Sequence, residues 1–286
     1  MTQHSESALQ GFRLFSLESG DVVVKVIPEL GAKILSLQSK STGREWMWSS
    51  SSPVKLHRNR LGDLFTQSTL AGADECLPTI SACRWRGRDL PDHGEAWSMP
   101  WDCEIQDERL VTTLRLPTTP LTITRSLTLD LHVLTLDYQL DNRSDEILEY
   151  LWAFHPLITQ HAGDKLVASC TQVRCDPAFS GKHLPWPYPV AQGDEIKSFA
   201  TDLSAGVAGI ENADTGDFLR FEFDRDELPY LGLLENRGRW GGHHFFAIEP
   251  TTGQPDDLSI AVNDWNCFAT IQPHGTKKWK FNIRCS

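Results

Sequence analysis

Two stretches of this chain end in side chains that can move a proton. In Trp240-Gly241-Gly242-His243-His244-Phe245-Phe246-Ala247-Ile248-Glu249-Pro250, aromatic and β-branched residues follow two glycines and stop at a proline, the pattern of a short strand. Strand side chains alternate, so His243, Phe245, Ala247 and Glu249 share one face, and His244, Phe246 and Ile248 share the other. The second row reads as core. The first, with an imidazole, a ring and a carboxylate, reads as the wall of a polar pocket. In Glu149-Tyr150-Leu151-Trp152-Ala153-Phe154-His155-Pro156, an imidazole takes the same place at a strand end against a proline. Carboxylate and imidazole together suit general acid–base chemistry. Alone, either is as readily structural, so the case for His155 rests on its meeting Glu249.

A third group lies between residues 70 and 101, where Gly, Pro and Asp crowd a segment too long to be a mere connection. Asp92-His93-Gly94-Glu95 packs two carboxylates and an imidazole into four positions ahead of Trp97 and Trp101. The plain alternative is a surface turn in which Asp92 holds its own backbone.

These residues need a scaffold, and the rest of the chain supplies strands. Residues 21–27 and 32–37 form a hairpin pattern about Gly31; residues 110–116, 121–129 and 133–140 alternate apolar and polar between Pro- and Asp-rich turns. Further strands are expected over 149–156, 206–210, 218–223, 258–262, 267–271 and 278–283, with proline-bound aromatic chain at 183–189. No segment has the apolar period of a substantial helix, so the fold class is all-β, built on large antiparallel sheets. Residues 1–10 read as a flexible tail and 11–286 as one domain.

The formal charge of −11 argues against a nucleic-acid partner, which would need clustered cations. No apolar run suits a membrane span and the first ten residues lack a signal pattern, so a cytoplasmic protein is expected. Seven cysteines without a C-x-x-C pair fit reduced thiols better than disulfides or metal ligands.

Gly31 to Leu37, Glu75-Cys76-Leu77-Pro78, the Asp92 to Trp97 loop, Asn142 to Glu146, Leu151 to Pro156 and Glu249-Pro250 to Asp256, in that order, resemble the aldose 1-epimerase (galactose mutarotase-like) superfamily over nearly the whole chain. The resemblance implies a β-supersandwich whose concave face holds a sugar. It implies Glu249 as catalytic base, His155 as catalytic acid and His93 as a sugar-binding histidine. Asp92, Glu95, Trp97, Trp240, His243 and Asp256 are the further substrate-binding candidates around these motifs. Asn59-Arg60 matches the family's Asn-Arg motif loosely, making Arg60 another. The family's hydroxyl-gripping aspartate has no motif here; Asp224 and Asp226 stand open for it.

The chemistry follows. Opening a hemiacetal takes the anomeric hydroxyl proton and gives one to the ring oxygen; reclosure on the other carbonyl face inverts the anomer. One base and one acid suffice, and no metal or cofactor is required. The partner is then a small sugar. The chief rival is a non-catalytic carbohydrate-binding domain on the same fold. A glycoside hydrolase would pair Glu249 with Glu95 or Glu75, and a metal enzyme would use His93, His155, His161 or His243.

Overall fold

The computed structural model describes residues 2–286. Its main layer is a 12-stranded sheet ordered Gln3–Leu9, Phe12–Ser19, Val22–Ile27, Lys33–Ser39, Ala73–Cys76, Ala153–Pro156, His244–Thr251, Tyr230–Arg237, Glu195–Ala200, Gln172–Cys175 and His183–Pro185, with Ile158–Thr159 pairing beside His244–Thr251. The second layer has eight strands: Asp164–Ala168, Val207–Asn212, Phe218–Phe223, Thr276–Cys285, Val133–Asn142, Leu121–Asp130, Arg109–Arg115 and Asp102–Gln106. The inner rows of both form one core, with Val24, Ile34, Phe154, Phe246 and Ile248 meeting Leu127, Leu136, Phe221 and Phe281. The fold class is therefore the expected all-β sandwich.

Alternation sorts neighbouring residues between the two sides of the main sheet. Glu75 turns inward, where its carboxylate accepts hydrogen bonds from Arg125, Tyr138 and Trp152, each at 2.8 Å. Asp74 turns outward and pairs with Lys33 at 2.5 Å. Tyr150, Trp152 and Phe154 enter the main core, whereas Leu151 and Ala153 join a separate cluster, as the expected faces of that stretch require.

Three elements differ from expectation. Residues expected as a flexible tail form the edge strand Gln3–Leu9, because Gln10 and Gly11, at φ 51° and 84°, make a two-residue turn that returns the chain onto Phe12–Ser19. Residues 258–262 are helical rather than extended: the Asp257 carboxylate accepts from the N–H groups of Ser259 and Ile260, and the α-helix Leu258–Ile260 runs into a π-helix, Ala261–Trp265. A capping aspartate outweighs the β-branched Ile260 and Val262. Residues 149–156 divide into Leu148–Tyr150, which pairs with Ala269–Ile271, and Ala153–Pro156 in the main sheet. Among the described residues no helix is long and apolar enough to cross a membrane.

Candidate functional site

The outer face of the main sheet carries a row of polar side chains across its middle strands. Register places Asp74 opposite His155, Glu249 opposite Gly232, Gly232 opposite Phe199, and Phe199 opposite Arg174. Residues in register share a face, so these side chains stand together. Glu249 and Lys197 are both buried, and the Lys197 ammonium pairs with Glu249 Oε2. Glu249 Oε1 has no protein partner and lies 3.6 Å from His155 Nε2. Glycine at position 232 makes the room: a Cβ there would come within 3.2 Å of Glu249 Oε2 and 3.3 Å of the Phe199 ring.

His93 reaches this row from its loop. Its N–H donates to the Ile80 carbonyl, that of Glu95 to the Leu77 carbonyl, and Gly94 at φ 71° packs against Leu77 too closely for any side chain. His93 itself sits at φ 58°, a left-handed conformation that costs a non-glycine residue on the order of 1 kcal/mol and clusters at functional sites. Its Nδ1 lies 2.8 Å from Asp92 Oδ1, which makes Nδ1 the protonated nitrogen of the neutral ring and leaves Nε2 available. Phe65 stacks on His93 at 4.0 Å, and His93 meets His155 edge-on at 5.1 Å. Asp92 Oδ2 accepts the Phe65 N–H, so one carboxylate fixes both the ring and its stacking partner.

Burial sets the charge states. Desolvation, followed by the neighbouring His93, Lys197 and Lys33, holds the His155 pKa well below the ordinary 6.5. The nearby Glu249 carboxylate does not reverse this, because it already faces Lys197. Burial pushes Asp256 up to about 7; Lys197, 3.4 Å away, lowers it, while Glu249 and Asp176 raise it further. Burial alone would lower Lys197, but Asp256 and Glu249 outweigh it and its pKa is raised. For Asp92, burial acts upward but the hydrogen bonds from His93 and from the Phe65 N–H prevail, and its pKa is lowered.

The structure thus brings together Glu249, His155, His93, Asp92 and Asp256, and sets the other candidates elsewhere. Glu95 is wholly buried and accepts from the N–H and hydroxyl groups of Thr118 and Thr119. It latches a turn of the second sheet. Trp97 is buried with its indole N–H on the Asp92 carbonyl, bracing the loop from beneath. The Arg60 side chain is exposed, and its N–H donates to Asp63. His243 precedes Glu249 by six residues, about 20 Å of strand, and packs edge-on to Trp48, while Trp240 bonds Glu195 and packs on Phe245. Asp224 and Asp226 are exposed beyond Phe218–Phe223, in the other sheet. Glu75 and Glu95 are both engaged inside the protein, so neither stands beside Glu249 as a second carboxylate. Among the described residues no three His, Cys, Asp or Glu side chains gather to hold a metal ion.

Sequence reasoning missed Lys197, Phe65 and Asp74. Lys197 had only a faint signal: a lysine two residues before Phe199, and so on the same face, in the strand Glu195–Ala200. Phe65 had none, since it arrives by a short 3-10 turn, Phe65–Gln67, inside a long irregular segment.

Neither a family model nor a curated protein sequence matches the chain. Solved structures do match in fold. The Slr1438 protein of Synechocystis sp. PCC 6803 is 18% identical, covering 100% of this chain and 96% of its own, with a TM-score of 0.74. A galactose mutarotase-like protein from Clostridium acetobutylicum is 14% identical over 100% and 98%, with a TM-score of 0.75. A galactose mutarotase related enzyme from Lactobacillus acidophilus is 14% identical over 96% and 97%, with a TM-score of 0.71. Two large antiparallel sheets in this order, matched end to end by these structures, give the chain the galactose mutarotase-like fold.

Proposed function

We propose that the protein is an aldose 1-epimerase, interconverting the α and β anomers of a sugar held on the outer face of its main sheet. The observation that carries this reading is the free oxygen of a buried carboxylate, Glu249 Oε1, 3.6 Å from His155 Nε2. Glu249 takes the anomeric hydroxyl proton. His155 gives a proton to the ring oxygen, and the released aldehyde turns and recloses with the roles reversed. Because burial keeps His155 neutral at rest, it must take up a proton before donating one; its imidazolium is scarce but a strong acid. His93, held by Asp92 and Phe65, is placed to bond a sugar hydroxyl through Nε2.

One observation favours a non-catalytic carbohydrate-binding domain instead: the Lys197 ion pair occupies half of the carboxylate assigned as base. Exchange NMR on a panel of aldoses separates the two. Glu249→Gln and His155→Asn should each remove accelerated anomer exchange while leaving the fold intact. Saturable sugar binding with no acceleration in the wild-type protein selects the binding domain.

A further inference from the structure

On the far side of Glu249 from His93, next to the edge strand His183–Pro185, the outer face carries an arginine that has no acidic partner. Arg174 lies on Gln172–Cys175, in register with Phe199, and its guanidinium carbon sits over the Trp265 ring, 3.6 Å from the centroid. Its Nε is buried against the ring and unpartnered, and no hydrogen bond or ion pair within the described residues engages the guanidinium fork. An arginine beside several acids normally takes one of them. Asp176 is two residues on, but the strand ends at Cys175 and its carboxylate accepts from the N–H groups of Ala178 and Asp256. Asp256 and Glu249 face Lys197. The remaining fork is left to whatever enters the site.

Two aromatic rings stand between Glu249 and Arg174. Phe199 borders Glu249 across Gly232, and the Trp265 ring stands edge-on to Phe199 at 6.2 Å. The unexpected helix ending at Trp265 is what brings that ring over the sheet. A ligand reaching from the acid–base pair past the half-buried Trp265 ring meets Arg174 at its other end. We propose that Arg174, pre-set on Trp265, is an anion subsite, and that the protein takes an aldose carrying a phosphate, sulfonate or carboxylate away from its anomeric carbon. A planar fork matches such oxyanions two bonds at a time, and stacking fixes its orientation before the ligand arrives. This rests on the epimerase reading of the site.

The test measures kcat/KM for α/β exchange of glucose and galactose, their 6-phosphates, 6-sulfonated glucose and the hexuronates, in the wild type, Arg174→Met and Arg174→Lys. One anionic aldose should be preferred over its neutral parent, with a preference that falls about ten- to hundredfold in Arg174→Met through KM and is partly kept in Arg174→Lys. Which anion is preferred identifies the source. A wild type that favours neutral sugars, or a preference untouched by Arg174→Met, overturns the subsite and leaves the epimerase standing. If no sugar is accelerated, the epimerase fails, and calorimetric affinity for glucose 6-phosphate against glucose decides the subsite alone: equal affinities, or no loss in Arg174→Met, overturn it.

Discussion

Lys197 and Glu249 bury an ammonium and a carboxylate against each other, with side-chain exposures of 2% and 1%, and direct the second carboxylate oxygen at His155. Removing Lys197 leaves the Glu249 carboxylate buried without its cation, a loss of about 3–5 kcal/mol, whereas Lys197 without Glu249 still faces Asp256. Lys197→Met should therefore unfold at markedly lower urea concentration than the wild type, and Lys197→Met/Glu249→Gln should recover about half of the loss. Equal stabilities of the single and double variants would place the cost in packing.

The rate should depend on pH, with His155 as the proposed acid. With its folded pKa well below 6.5, the imidazolium fraction falls about tenfold per pH unit above that pKa. Exchange rate should rise as pH falls from 8 towards 6. A flat profile over that range would remove His155 from the role of acid. Stability moves oppositely: the unfolded histidine binds more protons, so the neutral imidazole's contribution is complete above about pH 6.5 and is lost as pH falls below it.

Asp256 has the reverse sign. Its pKa is about 7 in the folded protein against 3.8 as the reference, so the folded state holds an extra proton between those values. Its contribution to stability is present below about pH 4 and lost as pH rises through 7. Asp256→Asn should flatten the decline in urea midpoint across that window relative to the wild type; an unchanged slope would contradict the assignment.

Gly232 is a subtler control on geometry. In Gly232→Ala the new methyl lies 3.2 Å from Glu249 Oε2, so the carboxylate must shift by a few tenths of an ångström. Exchange should slow by about tenfold or more with a near-native circular dichroism spectrum. Wild-type kcat in this variant would mean that Glu249 tolerates displacement and is not the base.

Glu95 gives a purely structural contrast. Glu95→Ala leaves the N–H and hydroxyl groups of Thr118 and Thr119 without their acceptor, and should cost about 3 kcal/mol in chemical denaturation.

Alternation made the strands legible. The opposed rows of Glu249 and Ile248, and of His155 and Phe154, follow from a two-residue period that few tertiary effects override. Glu95 was misplaced because a loop has no such period: Gly94 turns the chain between His93 and Glu95, sending one to the site and the other inward. Lys197 and Arg174 come from separate strands, and only pairing through Gly232 and Phe199 sets them on the same face as Glu249. The strand expected at 258–262 failed because two carboxylates in a row, Asp256 and Asp257, look alike in sequence, whereas one enters the site and the other caps a helix.

The adjacent acids Asp74 and Glu75, one facing each side of a four-residue strand, bear on how this scaffold can diversify. Deleting or inserting a single residue ahead of them would exchange their sides, setting the glutamate among the site lysines and stranding an aspartate before Arg125. New specificities can therefore arise here by point substitution along the outer face, or by lengthening the irregular chain that carries Phe65. A one-residue shift in this strand would break the inner and the outer ion pair together.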